Sequence, residues 1–534
     1  MQVPVRLRSG QAFDSAEVRF AQDDSLVIYM NFGDGAPLLR RERLQMRRCV
    51  LQLGAMAMLL AGVLHAQNLA ANWQGTFNAG GENRRIVLQI AKGDGGAWAA
   101  TACFIDFLHD PAKVDSLDVH GSSLQFKVNG GKGAFDGKIG ADGNSISGVW
   151  TWNQQTAPLE LRRATSETAW STPFDYQYHM KDVTYPRPSP AEKTIPFSPK
   201  LAVDYMEQGA AAWTSDWQCV ACHTNGSYMV ARPLMTQQLG PPQKELRDFF
   251  VTTLQGELAA DPKDLRPEYD STQAVYVAAG LAIWDAHVTH RLSPETAEAL
   301  DMMFKLQRAD GDWTISDDNN PPLESNRYQL ATVAARAVGN APGWLAEQRG
   351  KPVEAKINLL ENYLRAEGKV QGDYDRTDLL WAAAELPGLL DAKRMLQLVT
   401  MISAHQRPDG GWSIRTFAQP EEWGKGNRAQ KLRAEPEFVD PPSDGHMTGL
   451  AIIALRKAGV PPGDPRIRRG VSWLLTHQRS SGRWWTRSLN RDGWQFISYS
   501  GTVYPLLALS MCGELPASSQ NPAIAKSFTA PASR

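Results

Sequence analysis

The stretch Trp217-Gln-Cys219-Val-Ala-Cys222-His223 has the most chemistry in its spacing. Two thiols three residues apart, followed at once by an imidazole, form the attachment pattern for c-type haem. Both sulfurs must reach vinyl groups on one edge of a porphyrin, and the next residue must turn its ring under the iron. On this reading Cys219 and Cys222 anchor a covalent haem c, and His223 is the proximal ligand to its iron. The sixth position is open or filled by Met229, Met235 or His446, although a buried methionine is more often core filling than ligand. Arg232 is placed to meet a haem propionate or to form an ordinary ion pair. Other readings of the two cysteines stand beside this one: a disulfide or redox dithiol, half of a zinc site, or a chance match. No βαβ pattern surrounds the pair, as a thioredoxin-like site requires. No second Cys-x-x-Cys or His-x-x-x-His completes a zinc tetrahedron.

Covalent haem goes with export, so the start of the chain matters. Met46-Arg47-Arg48-Cys49, the apolar run from Val50 to Leu64 and then His65-Ala66-Gln67 fit a secretory signal peptide over residues 46–66. Leu64 departs from the small residue preferred at that point. Residues 1–45 then read as an over-extended start, and the protein as periplasmic or secreted. The apolar run is too short to span a bilayer comfortably and Gln52 interrupts it, so no transmembrane helix is expected in the mature chain. Removal of the leader takes Cys49 and leaves Cys103, Cys219, Cys222 and Cys512, too few for a disulfide scaffold in so long a chain. Cys103 and Cys512, among apolar neighbours, read as buried single thiols. A net charge of −1 over 534 residues gives no footprint for nucleic acid or an anionic membrane. The 43% hydrophobic content with 17 Trp belongs to a well-packed protein.

The elements that must position these residues change period along the chain. Over residues 67–163 the period is two: Leu124, Phe126 and Val128 alternate with polar residues, and Asp94-Gly95, Asn129-Gly130 and Asp142-Gly143 mark turns. This predicts a small antiparallel barrel or sandwich, its aromatic residues packing a core or, less simply, lining a ligand cavity. Prolines 173, 186, 188, 190, 196 and 199 make residues 164–199 an extended linker. Helical periodicity then runs over residues 200–515, and residues 516–534 read as a disordered tail.

Three segments of the helical region match one another: Gln307-Arg-Ala-Asp310-Gly311-Asp-Trp313, Gln406-Arg-Pro-Asp409-Gly410-Gly-Trp412 and Gln478-Arg-Ser-Ser-Gly482-Arg-Trp484. Each follows an amphipathic helix. Ser293-Pro294 and Asp464-Pro465 start two of these helices. The glycine permits a sharp turn, the glutamine amide can satisfy backbone groups left open there, and the tryptophan can lie on the next hairpin. A helix pair recurring this way is the signature of a stacked or closed array. The third copy, from Arg469-Gly470 through Trp473, Gln478, Gly482 and Trp484, resembles the Gln–Trp repeat of squalene–hopene and oxidosqualene cyclases. The resemblance implies that residues 200–515 form one α/α toroid of the terpenoid-cyclase and prenyltransferase type, carrying the Cys-x-x-Cys-His stretch in its first hairpin.

The sequence departs from that family in its acids. Cyclases of this kind protonate an alkene from an Asp-x-Asp-Asp motif, and no such string occurs here. The nearest clusters are Asp373-Tyr374-Asp375-Arg-Thr-Asp378 and Ser316-Asp317-Asp318, and Asp317 and Asp378 read more simply as solvated helix caps. The Asp-x-Cys string of protein prenyltransferases is also missing. His446, opening a buried-looking helix, reads as a satisfied histidine or an acid–base group. No catalytic residue is assigned. The leading expectation is an exported c-type haem protein with an electron-transfer or haem-dependent redox role and a redox partner. The alternatives are a cyclase-like isomerase acting on an apolar polyprenyl ligand, and a non-catalytic binding protein.

Overall fold

The computed structural model describes residues 69–516, except 80, 93–95, 107–111, 154, 171, 173–174, 181–182, 317–320 and 491–494, together with the hairpin strands β1 (Ala16–Phe20) and β2 (Leu26–Met30). The leader expected at 46–66, the tail beyond 516, and Asp317 and Asp318 lie outside the described residues. The chain divides into two compact units, residues 1–170 and 171–534.

In the first unit, alternating sequence closes into a barrel. Eight antiparallel strands, β3 (Ala71–Ala79), β4 (Glu82–Lys92), β5 (Trp98–Phe104), β6 (Ala112–His120), β7 (Ser123–Val128), β8 (Gly133–Ile139), β9 (Ser145–Trp152) and β10 (Gln155–Arg163), pair in sequence order. The barrel closes where β10 meets β3 at Arg162–Gln74 and Arg163–Trp73. Every second residue of β7 is buried, as a strand with one face in the core requires. Phe77, Phe104 and Trp150 pack ring against ring inside, as do Phe126, Phe135 and Trp150. The aromatic residues thus form a packed core.

The second unit is a double ring of helices. Its outer members are α1 (Pro199–Trp217), α3 (Lys244–Ala259), α5 (Pro294–Lys305), α7 (Pro352–Glu367), α9 (Ala392–Ala404) and α11 (Pro465–Thr476). The inner members alternate with them: α2 (Asn225–Met229), α4 (Pro267–Trp284), α6 (Arg327–Asn340), α8 (Asp373–Glu385), α10 (Gly445–Lys457) and α12 (Ile497–Met511). Each inner helix touches the next, α2 to α4 to α6 to α8 to α10 to α12, and α12 returns to α2. Amphipathicity explains which helix goes where. Outer α9 buries only Leu398, Val399 and Ile402, whereas α10 is buried on every face from Gly445 to Leu455 and α12 from Ile497 to Ser510. Ser293 and Asp464 cap α5 and α11, accepting from the backbone N–H of Thr296 and Arg466.

The three Gln–Trp segments share one geometry. Gln307, Gln406 and Gln478 each donate from Nε2 to the carbonyl of their own turn glycine, at 3.1, 2.8 and 2.9 Å. The same amide reaches the start of the next outer helix, at the carbonyl of Lys356, Arg466 or Ser198. Each indole N–H donates back to the outer helix it follows, at Met303, Ile402 or Leu474. The glycines sit at φ 96°, 95° and 88°, and a Cβ on any of them would collide with the backbone of the following outer helix. The Pro-rich strap leads into this system. Its strands β11 (Tyr176–Met180) and β12 (Val183–Pro186) pair with each other, and β13 (Thr194–Ile195) pairs with β14 (Gln478–Arg479).

Candidate active site

Inner helices all run the same way around the ring, so their N-terminal turns gather at one end. One group of inner-ring polar residues lies there, and a second, Arg336, Asn340, Glu385 and Lys457, lies at the C-terminal ends of α6, α8 and α10. Asp375 and Asp378 lie on the first two turns of α8, His446 on the first turn of α10, and Ser500 and Tyr504 are the fourth and eighth residues of α12. Tyr276 comes from α4. The Cys219–His223 stretch leads into α2, the short sixth inner member.

Asp378 is the chemically unusual group. It is 8% exposed, and its Oδ2 is buried without a hydrogen-bond partner among the described residues. The reading as a solvated cap is therefore corrected: α8 is capped by Gly372, and Asp378 points into the protein from its second turn. Burial, reinforced by the neighbouring Asp375 charge and only partly offset by Arg336, pushes its carboxyl up to about 8. A carboxylic acid with that value keeps its proton at neutral pH. Asp375 accepts from Asn326 Nδ2 at 2.7 Å but leaves Oδ1 without a partner, and burial raises it to about 6.

Aromatic residues surround this acid. Tyr374 precedes Asp375, and Trp381 lies one turn beyond Asp378 and meets Tyr504 edge to face at 6.0 Å. Burial raises the phenols of Tyr374, Tyr504 and Tyr276, and the Asp378 charge pushes each of them further. All three are therefore neutral. His446 is fully buried and satisfied at both nitrogens, by Ser500 Oγ at 2.8 Å and Tyr374 Oη at 3.0 Å. Burial pushes it down to about 3, so it is an uncharged strut that fixes Tyr374.

The Cys-x-x-Cys-His stretch stands at the same end. Cys222 is 5% exposed with its Sγ 4.0 Å from Glu324 Oε2, and burial followed by that carboxylate raises its thiol well above the usual range. Cys219 is partly buried, and neither cysteine is disulfide-bonded. His223 lies flat on Phe496 at 4.4 Å and edge-on to Trp213 at 4.6 Å, with Nδ1 held by Thr224 Oγ1 at 2.7 Å. The thiol of Cys222 and the carboxyl of Asp378 each push the buried phenols of Tyr276 and Tyr504 further up.

The other expected ligands lie elsewhere or are committed. Met229 and Met235 are fully buried, and Met229 packs on Gly280 of α4. Arg232 is buried on Glu207 at 2.6 Å and donates to the carbonyls of Gly240, Leu239 and Pro241, so it is not available to a propionate. No group of three His, Cys, Asp or Glu side chains among the described residues is placed to hold a metal ion. Asp375 was named only as part of the Asp373–Asp378 acidic cluster, and Tyr504 and Tyr276 were not singled out by sequence. The signal that could have found the two tyrosines is their place in long, largely apolar helices, α12 and α4.

No family model and no curated protein matches this sequence. Among solved structures the chain is similar to an ent-copalyl diphosphate synthase from Streptomyces platensis, at 16% identity and a TM-score of 0.36, over 54% of this chain. It spans half the length of that synthase, 50%. It is also similar to the type II terpene cyclase MstE from Scytonema, at 11% identity and a TM-score of 0.34, over 58% of this chain and 97% of that one. A glycosidase solved with glucose stands beside them at 14% identity and a TM-score of 0.32, over 60% of this chain and 87% of that one. Neighbours of such different chemistry assign no activity to this chain.

Proposed function

We propose that the helical ring is an acid–base isomerase of the cyclase type, acting on an alkene in an apolar polyprenyl chain, with Asp378 as proton donor. The observation that carries this reading is the buried Asp378 carboxyl, protonated at neutral pH, unpartnered at Oδ2 and set among aromatic rings. An unsatisfied buried polar group is costly to keep and calls for a role. In the step envisaged, the alkene π pair takes the proton as the Asp378 O–H bond breaks, leaving a carbocation and a carboxylate. The cation is met by π faces, for which Tyr504 and Tyr374 are the nearby candidates, since Trp381 already carries the Arg336 guanidinium over its ring at 3.6 Å. Ring closure moves the cation along the chain, and loss of a neighbouring C–H proton restores both an alkene and the acid. Atoms balance without a co-reactant, so the product is an isomer. The Gln–Trp segments, through their resemblance to the cyclases, support the choice of a polyprenyl substrate.

The test is incubation of the purified chain with squalene and with geranylgeraniol in D2O, followed by mass spectrometry of the extract. An isomeric product carrying one deuterium is expected. Asp378→Asn should slow its formation by about 10²–10⁴-fold, the scale of general-acid catalysis. Equal turnover by wild type and Asp378→Asn, or no isomer from either chain, would count against the reading.

A second reading keeps the haem. It is favoured by His223, whose Nδ1 is fixed by Thr224 and whose ring is held by Phe496 and Trp213, as a metal-binding imidazole is held by its outer partners. Cys219 and Cys222 would anchor the group, and bound haem would supply one-electron chemistry. With Met229 and Met235 in the core and His446 bonded at both nitrogens, the three sixth ligands named from sequence are committed. A reduced pyridine-haemochrome spectrum of protein from a host with haem-c maturation decides it. A covalent band lost on His223→Ala favours haem, and no band removes it.

A further inference from the structure

A cavity of about 260 Å³ opens beside the second and third Gln–Trp turns and uses none of the residues around Asp378. The second turn contributes Asp409 and Ser413, the end of α11 contributes Trp473 and His477, and the third turn contributes Arg479 and Trp485. Trp473 and His477 are stacked at 4.3 Å and 6° from parallel. Trp473 is held in place by its indole N–H, which donates to Asp409 Oδ2 at 3.1 Å. Trp485 is half-buried, and its backbone carbonyl accepts from Gly445. Trp473 and His477 are therefore held in place before any ligand arrives.

The polar part is unfinished. Ser413 is 1% exposed, and its Oγ has no hydrogen-bond partner among the described residues. Arg479 Nε is likewise buried and unpartnered, while its Nη1 donates to the Glu192 carbonyl at 2.7 Å. Groups left open on the wall of a cavity are completed by what enters it. Charge then narrows the class of ligand. The other two arginines of the wall are already neutralised, Arg415 by both oxygens of Glu435 at 2.8 Å and Arg487 by Glu437 at 3.1 Å. Asp409 and Asp444 also face this space. No net positive field is left for a phosphate or a carboxylate.

We infer that this cavity binds a neutral polyhydroxylated ring, a sugar or a cyclitol. One CH face lies on the aromatic wall, and hydroxyl groups complete Ser413 Oγ and Arg479 Nε. The site stands apart from the acid chemistry and does not depend on it.

Tryptophan fluorescence of the full chain, titrated with glucose, N-acetylglucosamine and myo-inositol and with inorganic phosphate as the charged comparison, tests this. A saturable change with at least one neutral ring is expected, with none from phosphate. Trp485→Ala and Ser413→Ala should each weaken binding by about tenfold, which corresponds to about 1.4 kcal/mol. Ser413→Ala removes a single buried, unpartnered atom and should leave the thermal midpoint unchanged or raised, which keeps the test free of misfolding. Saturation by phosphate instead of the sugars, retention of sugar binding by both variants, or silence with all three neutral rings would each overturn the assignment.

Discussion

Asp378 and Glu385 lie two turns apart on α8, both buried in the same ring, and they behave as opposites. Glu385 accepts from Arg336 at 2.9 Å, Lys457 at 2.6 Å, Trp381 at 2.9 Å and Asn340 at 2.9 Å. Burial works against its charge, yet Arg336 and then Lys457 hold it down at about 2. Asp378 has no such partners and rises to about 8. Burial alone therefore does not decide whether a carboxyl is charged; the groups brought to meet it do. Of the two α8 carboxyls, the paired one fastens the helices, and the unpaired one is left able to give up a proton.

The contrast can be broken most forcefully at Glu385. Glu385→Gln strands Arg336 and Lys457 without their counter-ion and should cost about 3–5 kcal/mol in urea unfolding. A loss below about 1 kcal/mol would make the two carboxyls equivalent in structural weight. Asp378 should show the reverse behaviour with pH. Its unfolded value is near 3.8 and its folded value about 8. Between those values the folded chain holds a proton that unfolding releases, so stability falls as pH rises through the window and is level above it. Asp378→Asn should remove that slope and gain about 2–5 kcal/mol at pH 8 over wild type, with little difference at pH 4. Parallel urea curves at pH 4, 6 and 8 measure it, and an unchanged slope in the variant would assign the titration to another group.

Smaller changes sharpen the same comparison. Gln406→Ala deletes two amide bonds to backbone carbonyls and should lower stability by about 1–3 kcal/mol by calorimetry, with the Asp378 titration intact. Tyr374→Phe removes the partner of His446 Nε2 and should cost about 1 kcal/mol. It should also shift the His446 ring signals in an NMR spectrum, and an unmoved signal would mean that the tyrosine is not its strut.

Much of the scaffold was legible before the structure. Period-two alternation marked the barrel strands, and the Gln–Trp spacing marked three turns whose geometry is now seen to be common. The site was legible only in pieces. Cys219, Cys222 and His223 announce themselves by spacing, but Asp378 does not, because the spacing of an aspartate carries no information about its burial. α10 and α12 are largely apolar and buried on every face, so periodicity could not say which residues look inward. The groups of the candidate site come from the Cys219–His223 stretch and from α4, α8, α10 and α12, separated by up to hundreds of residues. Only closure of the ring brings them together.

That closure has a consequence for how the chain is assembled. Gln307 reaches Lys356 and Gln406 reaches Arg466 across 49 and 60 residues, but Gln478 reaches Ser198 across 280. Two of the three joints can form within a neighbouring pair of hairpins, while the third must wait for almost the entire ring. In loop-closure entropy the longer span adds only about 1.5 kcal/mol. The last turn therefore acts as a buckle, cheap to fasten but available only after residues 198–478 have all been made. Until Gln478 finds Ser198 the inner ring is an open arc, and its acid has nothing to enclose.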